Sequence, residues 1–344
     1  MSDLSQRSPA AADSDRVWLG GLALLLLALM VGSLGFGPFP VRWSELMGLV
    51  LDGPSPAAVT PIATVVWQIR LPRVLGAVLA GAALAAAGAA YQGMFRNPLV
   101  SPDILGVSTG AGLGAVLGIF LALPVSGIQA LAFIGGLSTV ALVYALAFMV
   151  RGHDPLLVLV LAGVVVGTLA GSAISLLKIL ADPYNQLPAI TFWLLGSLAT
   201  LNLTDLKNLL PAVAIGLAPL YLLRWRMNLL SLDDEEARAL GVATGKLRVI
   251  FIIAATLMTA AVVSVSGVIG WVGLIMPHIA RLLVGPNFVR LLPASMLLGA
   301  SFLLLVDNLA RSLSTLEIPL GILTALLGAP FFLWLLARGQ RSWR

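Results

Sequence analysis

Runs of about twenty apolar residues, almost free of charge, recur along the whole chain, and a bilayer span needs about that many residues at 1.5 Å of rise each. The pattern predicts about ten spans, near 17–37, 73–92, 105–123, 128–150, 155–180, 207–223, 248–268, 270–284, 293–311 and 318–337. Of 344 residues, 59% are AVILMFWYC and only 10% are charged, whereas a water-soluble fold carries about 25% charge. The same composition excludes a disordered chain. The expected fold class is an all-α polytopic membrane protein. Residues 1–16 read as a polar, disordered tail, 17–337 as one transmembrane unit with a long charged loop at 224–248, and 338–344 as a basic tail. Val17 to Phe36 lacks a small-residue cleavage site and reads as an uncleaved first span. Leu187 to Gly196 is apolar but too short to cross, which suits a re-entrant or interfacial helix buried by protein.

An even span count places both termini on one side. With that side cytoplasmic, fourteen of the 20 lysines and arginines fall inside, leaving Arg42, Arg70, Arg73, Lys178, Lys207 and Arg311 outside. The net charge of +5 is thereby a topology signal and not a nucleic-acid footprint. The absence of cysteine removes disulfides, thiolate metal sites and cysteine nucleophiles. His153 and His278 are the only histidines and lie far apart, so no metal site is expected. Gly241 to Leu247 misses the phosphate-loop spacing and its Ser/Thr, and Gly110 to Gly114 misses the dinucleotide spacing. Asp307 and Arg311, four apart, suit a local ion pair, and Lys178 can snorkel from its span end. Carboxylates at mid-span are otherwise lacking, which disfavours an ion-coupled secondary transporter. No catalytic constellation is visible, so the energy for any transport must come from another chain.

Gly110, Gly114 and Gly118 are spaced one turn apart, as are Gly163, Gly167 and Gly171. Such stripes let helix backbones approach closely in lipid. In the charged loop, Ser231 to Gly241 reads as a short helix. Ser231 would cap it, Asp233, Asp234, Glu235 and Glu236 sit at the positive end of its dipole, and Gly241 ends it. Ala237 and Leu240 would form a small apolar face. So short a helix is marginal alone, which points to a cytoplasmic partner. Asn97 and Pro98 break the chain between spans, and Asp103 is expected to cap the next helix.

Several ordered motifs between Trp67 and Leu336 carry a family resemblance. They are Ile69-Arg70-Leu71-Pro72-Arg73, Gly81 to Gln92, Asn97 to Gly106, Phe192 to Leu198, and Ala237-Arg238-Ala239-Leu240-Gly241. Gly273 to Arg281, Pro319-Leu320-Gly321 and Gly328 to Phe332 complete the set. The chain resembles the permease subunits of ABC importers for iron–siderophore complexes, haem and cobalamin. The resemblance implies a type II importer architecture: ten spans, a second permease subunit (a homodimer or a similar heterodimer), two cytoplasmic ATPase subunits holding ATP and Mg, and a periplasmic binding protein. It implies that residues 231–241 lie in the ATPase groove, and that Arg70, Arg73 and Arg311 present a basic surface to carboxylates of the binding protein. The alternative for Arg70 and Arg73 is headgroup anchoring at the outer rim. A path at the dimer axis would be lined by Gly163, Gly167, Thr168, Gly171 and Ser172. The chain itself would bind no cofactor or metal and catalyse nothing. A ferric siderophore is the expected cargo within the cytoplasmic membrane, with haem or cobalamin as alternatives.

Overall fold

A computed structural model describes residues 9–53, 60–150 and 155–339. Among them every regular element is helical: α1 (Pro9–Gly35), α2 (Trp43–Asp52), and α3 (Pro61–Thr64), which passes through a π-helical stretch (Val65–Arg70) into α4 (Leu71–Met94). A 3-10 turn (Pro102–Leu105) leads to α5 (Val107–Phe120), α6 (Val125–Met149), α7 (Pro155–Leu180), α8 (Gln186–Leu195) and α9 (Leu203–Leu222). Then come α10 (Arg224–Leu229), α11 (Asp234–Ala239), α12 (Thr244–Ser266), α13 (Val272–Val284), α14 (Phe288–Ala310) and α15 (Leu320–Gly339).

Each expected span falls on its own helix. Seven of them are long and apolar enough to cross a membrane: α1, α3–α4, α6, α7, α9, α12 and α14. By contrast α5 and α13 have 14 and 13 residues, a rise of about 20 Å against a hydrocarbon core of about 30 Å. The 3-10 turn at 102–105 and the non-helical backbone at 267–271 complete their paths, and both are partly buried in protein, where polar groups can find partners. The segment between α12 and α13 is tied in this way. Ser197 N–H donates to Ser266 O (2.7 Å), and Leu320 N–H donates to Gly196 O (2.9 Å), joining the ends of α8, α12 and α15. As expected, α8 is too short to cross.

The central element is α4, whose alanines and glycines pack against α14, α12 and α13. A Cβ at Gly81 would lie 2.2 Å from the Gly299 carbonyl oxygen of α14, and one at Gly88 would lie 1.8 Å from that of Gly273 in α13. Main chain therefore meets main chain at both crossings, the close approach that small residues permit inside lipid.

Two expectations need correction. Residues 9–16, read as disordered tail, continue α1; Ala10 to Ala12 are strong helix formers. The remainder of both expected tails, residues 1–8 and 340–344, lies outside the described residues, as does His153. Second, α2 was not expected at all. Trp43, Met47 and Leu51 form its exposed stripe, Leu46 is buried beneath, and Arg42 N–H donates to the Glu45 carboxylate at 2.9 Å to start it.

Candidate functional site

At one end of α4, three arginines converge. Arg70 closes the π-helical stretch, Arg73 lies in the first turn of α4, and Arg311 follows α14. Arg70 donates from Nη1 to Leu34 O (2.7 Å) and from Nη2 to Phe39 O (2.5 Å). The Arg73 guanidinium is divided between two carboxylates, Nε to Asp307 Oδ1 and Nη1 to Glu317 Oε1, both at 2.8 Å. Arg311 Nη2 donates to Ser33 O (3.0 Å) and to the Asn308 side chain, while its Nε stands 3.6 Å from Asp307 Oδ2. The expected local pair between Asp307 and Arg311 is thus the looser of two contacts, and Arg73 is the hydrogen-bonded partner.

The resemblance implied an exposed basic surface here, and the structure corrects that. Arg70, Arg73 and Arg311 are only 3%, 5% and 4% exposed. A guanidinium carries five N–H donors, and leaving them unpaired in apolar surroundings is expensive. Each arginine therefore turns inward to carbonyls and carboxylates. At 3% and 5% exposure, Arg70 and Arg73 also leave little guanidinium surface for a headgroup. Sequence reasoning missed Glu317, Asn308 and Ser33, since nothing local marks Glu317 as a partner for a residue 244 positions away.

The charged loop lies at the opposite end of α4. There Arg96, just past the helix and at positive φ (50°), donates from Nη1 to Asp233 Oδ1 at 2.6 Å. Asp233, and not Ser231, is the N-cap residue of α11, with extended backbone and no side-chain cap bond. Ser231 sits in the turn after α10, its N–H donating to Asn228 O (3.3 Å), too early to reach the amides of α11. Asp234 opens the helix; its side chain lies outside the described residues. Gly241, at φ 79°, ends the turn as expected. Ala237 and Leu240 do not share a face: Ala237 is 0% exposed and Leu240 is 60% exposed. In so short a helix, one side is spent on holding α11 to the body. Glu235, Glu236, Arg238 and Leu240 remain open to solvent on the other.

Along α7 the glycine stripe divides by role. A Cβ at Gly163 would lie 2.2 Å from Ile104 O, whereas at Gly167 the nearest atom is 4.0 Å away and at Gly171 there is none within 4 Å. Thr168 and Ser172 are exposed, each bonding the carbonyl one turn back, Val164 O at 2.7 Å and Thr168 O at 3.0 Å. A hydroxyl-bearing, unfilled strip therefore runs along α7 from Gly167 to Ser172. The other stripe is packing throughout: Gly110 and Gly114 seat α5 on Thr139 and Leu131 of α6. Asp103 does not cap α5. Gly106, at φ 77°, takes that position, and the Asp103 carboxylate accepts the Ser108 hydroxyl instead. His278 is partly buried on α13, and among the described residues no group of three His, Cys, Asp or Glu is placed to hold a metal.

Residues 24–338 match the FecCD transport family. The chain is 44% identical over 315 residues to the molybdate import system permease protein MolB of Haemophilus influenzae, covering 91% of this chain and 93% of that one. It is 38% identical to the hemin transport system permease protein HmuU of Yersinia pestis, covering 96% and 97%. Among solved structures, an inward-facing metal-chelate type ABC transporter superposes with a TM-score of 0.84 at 43% identity, covering 93% of this chain and 98% of that one.

Proposed function

The chain belongs to the FecCD transport family and is a multi-pass membrane permease of the ABC importer type; from that premise we propose that it carries an intact metal chelate, a ferric siderophore foremost, driven by partner ATPase subunits. The observation that carries the reading is α11. It is clasped to the body through Ala237 and the Arg96–Asp233 pair while Glu235, Glu236, Arg238 and Leu240 face outward. A helix fixed on one side and open on the other can receive a push and deliver it. ATP and Mg belong to the ATPase subunits beneath it, with α11 and both termini in the cytoplasm.

The Arg70 end then faces outward, where a binding protein docks with its ligand. A second permease copy places the strip of Gly167, Thr168, Gly171 and Ser172 at a shared axis. That strip offers hydroxyls and backbone, which suits a chelate passing whole and not a bare ion handed between ligands. Related permeases are named for molybdate, haem, cobalamin and iron chelatin, so cargo is the property to test. Purification in mild detergent with mass spectrometry should bring down an ATPase and a binding protein. Titration of that binding protein with ferric siderophores, haem, cobalamin and molybdate should show tightest binding to a ferric siderophore. Tightest binding to molybdate would overturn the cargo, and repeated isolation without any ATPase would overturn the energy source.

A further inference from the structure

We infer that Glu317 is a built-in stand-in for a carboxylate of the docking protein, displaced from Arg73 when that protein seats. The inference rests on the proposed docking at the Arg70 end and adds how it is controlled. Arg73 divides its guanidinium between two carboxylates of very different accessibility. The Asp307 side chain is fully buried on α14, whereas that of Glu317 is 40% exposed in the connection between α14 and α15. Of the two carboxylates on Arg73, Glu317 at the Nη1 edge is therefore the one that a carboxylate arriving from solvent can replace.

Three further observations make the position suited to exchange. Arg70 and Arg311 are gathered around the Gly37 turn, where an added Cβ would meet Arg70 Nη2 at 3.0 Å and Arg311 Nη1 at 3.5 Å. Within this cluster Arg73 meets Asp307 and Glu317 and Arg311 meets Asp307, while Arg70 has only the carbonyls of Leu34 and Phe39; with three cations to two anions, a further carboxylate is attracted. The inner contact is slack: Asp307 Oδ2 and Arg311 Nε face each other at 3.6 Å and neither has another hydrogen-bond partner. Finally, the connection is pinned at its base by Ile318 N–H to Ala310 O (3.1 Å), while Leu313 and Leu316 stand 59% and 81% exposed. Glu317 thus sits beside an apolar rim that a protein surface would cover and a small solute would not. Exchanging one arginine–carboxylate pair for another changes net burial of charge little, which permits release in every transport cycle.

The test uses the ATPase-loaded transporter in nanodiscs and the binding protein that co-purifies with it, with association followed by interferometry at low and high salt. Glu317→Gln leaves the Arg73 edge with a neutral, weaker competitor, and should raise the association rate and affinity roughly three- to tenfold with a steeper salt dependence. Glu317→Asp keeps the charge but shortens the reach, and should give a smaller gain in the same direction. Unchanged or weaker binding in both variants, with wild-type melting temperatures, would overturn the stand-in while leaving the docking site in place. A photo-crosslinker at Leu316 separates the two ideas. Its failure to capture the binding protein in the wild-type complex would overturn docking at this end, and the stand-in with it.

Discussion

Asp307→Ala should be the most damaging single substitution at the Arg70 end. The side chain is fully buried and faces guanidinium nitrogens at 2.8 Å and 3.6 Å. At an effective dielectric of about 20 these distances correspond to gross attractions of about 6 and about 5 kcal/mol. Most of that is offset by the desolvation of the buried charges. Alanine keeps the desolvation of the two guanidiniums and deletes the attraction: Arg73 retains only the half-exposed Glu317, and Arg311 loses the carboxylate it contacts. Removing one member of a buried pair typically costs about 3–5 kcal/mol. Asp307→Asn keeps an oxygen for Arg73 Nε and should lose about half as much. Thermal unfolding of the purified chain in detergent, followed by its 8 tryptophans, reads this directly. A domain of 150–250 residues shifts by about 2–4 °C per kcal/mol, and this longer chain should fall by roughly 5–10 °C for alanine. Adding Arg73→Met to Asp307→Ala removes the stranded cation, so the double variant should melt above the sum of the single losses by at least about 1 kcal/mol. An Asp307→Ala protein that melts like the wild type, or strictly additive single losses, would refute a cluster held together through Asp307.

Within the α7 stripe, Gly163→Ala should abolish folded protein in size-exclusion profiles, because its Cβ meets Ile104 O at 2.2 Å, whereas Gly171→Ala should elute and melt as wild type. Gly88→Ala should fail in the same assay, its Cβ falling 1.8 Å from Gly273 O. Glu235→Arg with Leu240→Asp alters exposed positions only and should leave melting unchanged, yet lower ATP-driven uptake in proteoliposomes at least tenfold; wild-type uptake would remove α11 from the coupling path. Thr168→Leu with Ser172→Leu should slow uptake while leaving ATPase co-purification intact, and unaltered transport would exclude that strip as the path.

The spans were legible because lipid demands about 20 apolar residues wherever backbone crosses it, and that demand shows in any single stretch of sequence. The short helices α5 and α13 were legible as apolar runs but not as short, since what shortens them is the break from α-helical backbone at 102–105 and 267–271. Helix α2 had a signal, Trp43, Met47 and Leu51 on one face with Leu46 opposite, but ten residues fall below any span threshold. Charge position predicted that Arg70, Arg73 and Arg311 share an end. Their inward orientation was not readable, because it depends on Asp307 and Glu317, which lie 234 and 244 residues from Arg73. Likewise one helical period cannot tell Gly163, seated on a neighbouring backbone, from Gly171, which meets nothing. The partner decides, and the partner lies elsewhere in the chain.

The main-chain contacts of α4 have a mechanical consequence. At Gly81–Gly299 and Gly88–Gly273 there is no layer of side chains to act as a lubricant. Sliding α4 along either neighbour would drive alanine methyls such as Ala80 or Ala89 against carbonyl oxygens, and close-packed interfaces resist such displacement. Such contacts oppose shear between these helices, so α4, α13 and α14 are expected to travel as one piece, bending at joints between elements. Arg96 fastens α11 to one end of that piece, and Arg73 with Asp307 caps the other. A displacement applied at α11 would then be carried toward Arg73 by rigid movement of that piece, and should not require its helices to repack against one another.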